Sequence, residues 1–152
     1  MEHTMPKIVI TGGLGFIFSH VSEYFVKKGW DVYVIDDLSM GSHPEIVDGS
    51  FTFIEFDCAD TAVQDIICEI NPEYIIHAGA ISAVDFSIKD PELTLKQNIL
   101  GNINVFEAAR FCDNLKKFLY VSTDEVYGEC EYKKDEEDII FPKNPYAVSK
   151  AV

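Results

Sequence analysis

Five side chains able to move protons stand in two short stretches of this sequence. Thr123, Asp124 and Glu125 place a hydroxyl and two carboxylates on consecutive residues, within Ser122-Thr123-Asp124-Glu125-Val126-Tyr127-Gly128. Tyr146 and Lys150 follow in Tyr-Ala-Val-Ser-Lys, a spacing of i and i+4 that sets phenol and ammonium on one helix face. Hydroxyl, carboxyl, phenol and amine are the groups used for general acid–base chemistry. The first stretch leaves an apolar run, Phe118 to Val121, which reads as a buried strand of a parallel sheet. In open α/β sheets, chemistry collects beyond the carboxyl ends of the strands.

The preceding chain reads as the scaffold that brings a dinucleotide to this point. Lys7 to Thr11 is a β-branched run, and Gly12-Gly13-Leu14-Gly15-Phe16-Ile17 then opens a helical pattern carried by Ile17, Val21, Tyr24 and Phe25. Strand, glycine turn and helix let the backbone approach a pyrophosphate and seat it on helix N–H groups; the alternative is a tight turn with no ligand. Asp31 to Ile35 is a second strand ending at Asp36-Asp37, where an acid can accept from the adenosine ribose hydroxyls. A carboxylate there repels a 2′-phosphate, favouring NAD over NADP; the alternative is a solvated pair of turn acids. The loop from Leu38 to Ser50 carries no clear chemistry, and His43 within it reads as an exposed loop residue.

Residues 51–56 form a third expected strand ending at Asp57-Cys58, residues 62–70 a short helix, and Tyr74 to His77 a fourth strand. Ala78-Gly79-Ala80-Ile81-Ser82 follows, with small residues that permit close approach to a flat cofactor. His77 reads as a packed histidine rather than a catalyst. A long helix is expected from Pro91 to Phe111, its faces marked by Leu95, Ile99, Ile103 and Phe106. Asn98 within it is either a core amide bonded to backbone or a cofactor contact. Five strands alternating with helices imply an α/β, doubly wound parallel sheet of order 3-2-1-4-5.

The 152 residues allow one domain with a real core. A net charge of -14 argues against nucleic acid or an anionic membrane as partner. No apolar run reaches the length of a membrane span, and the start lacks the apolar stretch of a secretory signal. Cys58, Cys68, Cys112 and Cys130 show no metal-ligand spacing, so no metal is expected and a reduced, cytoplasmic chain is favoured. The acidic stretch from Glu129 to Asp138 reads as a solvated loop.

Taken together, the chain resembles the extended short-chain dehydrogenase/reductase family, and within it nucleotide-sugar 4,6-dehydratases of the dTDP-glucose or UDP-glucose type. The resemblance rests on Thr-Gly-Gly-Leu-Gly-Phe-Ile, on Val-Ile-Asp-Asp-Leu-Ser at 34–39 and on His-Ala-Gly-Ala-Ile-Ser-Ala-Val-Asp at 77–85. Ser-Ile-Lys-Asp-Pro, Asn-Ile-Leu-Gly-Asn, Tyr-Val-Ser-Thr-Asp-Glu-Val-Tyr-Gly and Asn-Pro-Tyr-Ala-Val-Ser-Lys continue it in order. Related epimerases and decarboxylases usually carry other residues at the pair Asp124-Glu125.

The resemblance implies a Rossmann-type fold, NAD as cofactor and a nucleotide-diphosphate sugar as substrate. Tyr146, its pKa lowered by Lys150, would take the proton of the sugar 4-hydroxyl while hydride leaves C4. Thr123 would hydrogen-bond O4, Glu125 would remove the C5 proton, and Asp124 would protonate the departing 6-hydroxyl. Hydride then returns to C6. Gly12, Gly15, Phe16, Ile17, Ala78 and Ala80 would line the cofactor, with Tyr146 and Lys150 at the nicotinamide end. Asp36 would hold the ribose, Asp57 with the Cys58 backbone would meet the adenine, and Ser82 would lie near the sugar. Family members of full length are expected as homodimers.

Two departures stand out. Phe18 replaces the third glycine of G-x-x-G-x-x-G, so its ring must either repack the first helix turn, at about 1–3 kcal/mol, or enter cofactor space. Tyr146 to Val152 is short for a helix without packing on later structure. The expectation is an amino-terminal NAD-binding domain over 1–152, with the sheet incomplete and the substrate domain absent.

Overall fold

A computed structural model describes residues 5–41, 50–129 and 133–152. His43, Cys130 and the lead residues 1–4 lie outside the described residues. Five parallel strands, β1 (Lys7–Thr11), β2 (Asp31–Asp36), β3 (Thr52–Glu55), β4 (Tyr74–His77) and β5 (Lys117–Tyr120), form one sheet of order 3-2-1-4-5. The expected topology is the observed one. Between them run α1 (Phe18–Lys27), α2 (Val63–Ile70), α3 (Val84–Lys89) and α4 (Pro91–Phe111); a 3-10 turn (Asp124–Tyr127) and α5 (Pro145–Ala151) follow β5.

Alternation along the strands sorts apolar residues onto two faces. Val9, Ile35 and Ile75 meet Val63, Ile67, Val105 and Ala108 of α2 and α4. Ile8, Ile10, Val32, Val34 and Ile76 form the opposite cluster, against which Val21 and Phe25 of α1 pack. Phe18, the first residue of α1, is half-buried against this second cluster and also forms part of the wall of the main cleft. The ring thus packs on the core and also borders the cleft.

Helix α4 starts where expected because Asp90 accepts from Leu93 N at 3.0 Å and Pro91 needs no N–H donor there. Its buried face differs from the apolar reading. Asn98, Asn102 and Asn104 point inward, whereas Ile103 is 49% exposed. Those amides bond neighbouring loops and α5, and that outweighs the apolar side chains in setting the helix rotation. Helix α3 and the 3-10 turn are additions that the apolar pattern does not signal.

Helix α5 forms over seven residues and packs on α4. Asn98 Nδ2 donates to Ser149 Oγ at 2.8 Å, and Asn102 Nδ2 donates to the Ser149 carbonyl at 3.1 Å. Asn144 caps the start, its Oδ1 accepting from Ala147 N at 2.8 Å. Tyr146 and Lys150 are positioned through these contacts.

Candidate active site at the carboxyl ends of the strands

The glycine turn packs directly on the loop after β4. Gly12 has φ +65°, and a Cβ there would fall 2.8 Å from Gly79 Cα and N, so only glycine lets the two loops meet. Thr11 Oγ1 accepts from Ala78 N at 3.2 Å and Gly79 N at 3.1 Å, closing the same contact. Asp36 is 7% exposed and braces the turn: its Oδ2 accepts from Leu14 N and its Oδ1 from Leu38 N, each at 3.0 Å. It is not a solvated turn acid. Asp37 instead bonds Ser39.

These loops wall a cleft of about 650 Å³. Gly12, Gly15, Phe16, Ile17, Asp36, Asp57, Cys58, Ala78, Ala80, Ser82, Thr123, Tyr146 and Lys150 all border it. Asp124 and Glu125 do not. They open onto an adjoining cavity of about 600 Å³ together with Lys133, Lys143 and Asn144. The 3-10 turn makes the difference: Thr123 Oγ1 accepts from Glu125 N at 3.3 Å, which rotates the two acids away from the cleft wall.

Further residues along the cleft carry roles that single positions in the sequence do not announce. Gln97 Nε2 donates to Asp57 Oδ2 at 2.9 Å and so fixes the acid expected near the adenine. Asn104 Nδ2 donates to the Cys58 carbonyl at 2.9 Å. Burial and the neighbouring acids Asp57, Asp37 and Asp36 push the Cys58 thiol up to about 12. Ser39, Met40 and Gly41, from the loop that carried no evident chemistry, also border the cleft. Pattern reasoning alone had no signal for Gln97, because an α4 glutamine is ordinarily solvent-facing.

The polar core behind the cleft is one connected network. Thr11, His77 and Tyr120 lie in register across β1, β4 and β5 and therefore share a sheet face. His77 is fully buried, with Nδ1 at 2.6 Å from Thr11 Oγ1 and Nε2 at 3.1 Å from Asn102 Oδ1. Asn102 Nδ2 donates to Tyr120 Oη at 2.9 Å as well as to the Ser149 carbonyl. With the Asn102 oxygen accepting, His77 Nε2 carries the proton and Nδ1 accepts from Thr11. Burial, with the Lys150 charge behind it, pulls the His77 pKa down to about 3. His77 is thus a packed, neutral histidine. Asn98 is likewise a core amide, accepting from Ile81 N at 2.8 Å and donating to the Ile81 carbonyl at 3.1 Å.

Lys150 is 5% exposed, and burial lowers its pKa to about 8. The Tyr146 phenol is shifted upward, not downward as the resemblance implied. Burial is the largest cause, Glu125 and Asp124 add negative charge nearby, and a hydrogen bond with Thr123 opposes them. The expectation counted the ammonium and left out burial and the charges of Glu125 and Asp124.

Residues 9–152 match the family profile described as GDP-mannose 4,6 dehydratase. The chain belongs to this family. Among relatives of this GDP-mannose 4,6 dehydratase family member, the dTDP-D-glucose 4,6-dehydratase of Dictyostelium discoideum is 35% identical over 97% of the chain and 38% of its own length. A putative UDP-glucose 4-epimerase of Methanocaldococcus jannaschii is 34% identical over 95% of the chain and 48% of its own length. The UDP-glucose 4-epimerase of Thermus thermophilus, solved in complex with NAD, superposes with a TM-score of 0.85 at 34% identity, covering 95% of this chain and 47% of that one. The chain thus spans about half or less of the length of these relatives. Among the described residues, no helix is long and apolar enough to cross a membrane.

Proposed function

We propose that this chain carries the NAD-binding half and the acid–base cluster of a nucleotide-sugar 4,6-dehydratase acting on dTDP-glucose or UDP-glucose. The observation that supports this most is the meeting of Thr123, Tyr146 and Lys150 with the glycine turn and Asp36 around one cleft. Glu125 and Asp124 lie near enough to bear on the Tyr146 phenol from the next cavity.

The residues present fit a dinucleotide. Gly12 closes on Gly79 with no room for a Cβ, and the buried Asp36 borders the same cleft beside the glycine turn. Gly12, Gly15, Phe16 and Ile17 would hold the pyrophosphate, Asp36 the ribose, Asp57 the adenine, and Ala78 and Ala80 would flank the flat rings. NAD, when bound, supplies reversible hydride acceptance at the sugar, so no external reductant is consumed.

The chain's own residues account for the proton movements. Tyr146, with Thr123 beside it, takes the proton of the sugar 4-hydroxyl. The Lys150 ammonium in the same cleft offsets the phenolate that forms. Oxidation at C4 acidifies the C5 proton; Glu125 takes it, and Asp124 gives a proton to the 6-hydroxyl, which leaves as water. Asn144 Nδ2 donates to Glu125 Oε2 at 2.6 Å and so fixes the orientation of the proposed C5 base.

A second reading is C4 epimerisation, because the solved structures that superpose on the chain include UDP-glucose 4-epimerases at 30–34% identity. The deciding test has two steps. Titration calorimetry of the chain with NAD, beside Phe18→Gly, should give saturable binding by the unaltered chain. Binding by the glycine variant alone would show that Phe18 blocks the cofactor site and would favour a non-catalytic dinucleotide-binding module over the dehydratase. Product analysis with dTDP-glucose or UDP-glucose, using a protein of the relatives' full length, should give a 4-keto-6-deoxy sugar; a C4 epimer would reassign the reaction.

A further inference from the structure

We propose that Tyr120 is a positioning residue for Lys150, its ring forming the seat on which the ammonium rests. The role rests on Lys150 acting in the reaction proposed above. Lys150 Nζ lies over the Tyr120 ring, 4.7 Å from its centroid, inside the distance of about 6 Å at which a cation gains from a π face. Among the described residues, no carboxylate forms an ion pair with Lys150. The ring therefore supplies attraction without a proton acceptor or a competing negative charge.

The ring itself is held firmly. Asn102 Nδ2 donates to Tyr120 Oη at 2.9 Å, Asn102 Oδ1 takes the His77 Nε2 proton, and Thr11 closes the far side of His77. Phe106 meets the ring edge to face, with centroids 5.3 Å apart, and His77 lies tilted against it at 5.8 Å. The titratable groups around the ammonium are thus His77 from β4, Tyr120 from β5 and Tyr146 on α5 itself. A charged His77 would oppose Lys150, and its burial keeps it neutral. An amine held by a π face stays in place while remaining able to lose its proton, whereas a carboxylate partner would lock it in the charged form.

The test needs neither NAD nor sugar. Lysine labelled at Cε would be followed by NMR in the unaltered chain, with Lys150→Met assigning the signal. The expected result is a Lys150 ε-methylene resonance shifted upfield by the ring current. Tyr120→Phe should keep that shift, whereas Tyr120→Leu should lose it and lower the Lys150 pKa by roughly 0.5–1 unit. Folding of each variant is checked by its amide spectrum. Absence of the upfield shift in the unaltered chain, or an unchanged Lys150 resonance and pKa in Tyr120→Leu, would overturn the proposal. NAD titration of the same samples reports separately on the cofactor reading, so either can fail while the other stands.

Discussion

Asn144 Nδ2 donates to Glu125 Oε2 at 2.6 Å, and the oxygen of the same amide caps α5 through Ala147 N. One side chain thus ties the proposed C5 base to the helix bearing Tyr146 and Lys150. Asn144→Ala removes the cap, worth about 1 kcal/mol, and a hydrogen bond to a carboxylate, worth about 1.5–3 kcal/mol. Asn144→Asp keeps the cap but sets a second carboxylate against Glu125. Urea unfolding should show both variants destabilised at pH 7, with only the aspartate variant recovering relative to the parent as the pH falls toward 4. Equal behaviour of the two at both pH values would mean that the Glu125 contact contributes nothing.

His77 makes the fold acid-sensitive. Its pKa is about 3 in the folded chain against an ordinary 6.5, so between those values the unfolded chain binds a proton that the folded one refuses. Stability therefore falls as pH drops through this window, with a limiting slope of about 1.4 kcal/mol per pH unit. His77→Gln should flatten that part of the stability profile measured by urea unfolding at pH 7, 6, 5 and 4. An equally steep profile in the variant would assign the slope to carboxylates instead.

Lys150 acts at the other end of the pH scale. Its pKa of about 8 lies below the ordinary 10.5, so the folded chain sheds its proton first. The unfolded chain then binds more protons between pH 8 and 10.5, and stability rises with pH across that window. Lys150→Met should remove this rise and leave the chain no less stable below pH 8, because a buried charge is replaced by an apolar chain of similar volume. Thermal melts at pH 7.5, 9 and 10 would check it.

Phe18 exchanges a glycine's fit for added core. Its ring packs on the cluster containing Ile8, Ile10 and Leu14 while also bordering the cleft. Phe18→Ala should cost about 1–3 kcal/mol of stability, below the usual cost of a fully buried phenylalanine because the ring is only half-buried. A variant as stable as the parent in urea would show that the ring contributes no packing.

The strand order and the cleft were legible because both follow from local signals: β-branched runs, glycines at a strand end, and acids one residue beyond it. Tyr146 and Lys150 were legible from a spacing of four. Proton affinities and orientations were not. The upward Tyr146 shift comes first from burial and then from the charges of Glu125 and Asp124, and neither burial nor the 3-10 turn that carries those acids is encoded by periodicity. Gln97 and Asn102 look like ordinary helix amides until the fold sets them against Asp57 and His77. The rotation of α4 was misread at Ile103 for the same reason: buried amides, not apolar spacing, decide which side faces inward.

The two amides that α4 lends to Ser149 set how α5 can open. A free seven-residue helix would fray in isolation, exposing Tyr146 and Lys150 at little cost. Here, opening α5 strips partners from Asn98 and Asn102, and through Asn102 it loosens Tyr120 and His77 in the sheet. The proton-transfer helix and the middle of α4 therefore form a single foldon, whose amides exchange with solvent together and not from the chain end inward.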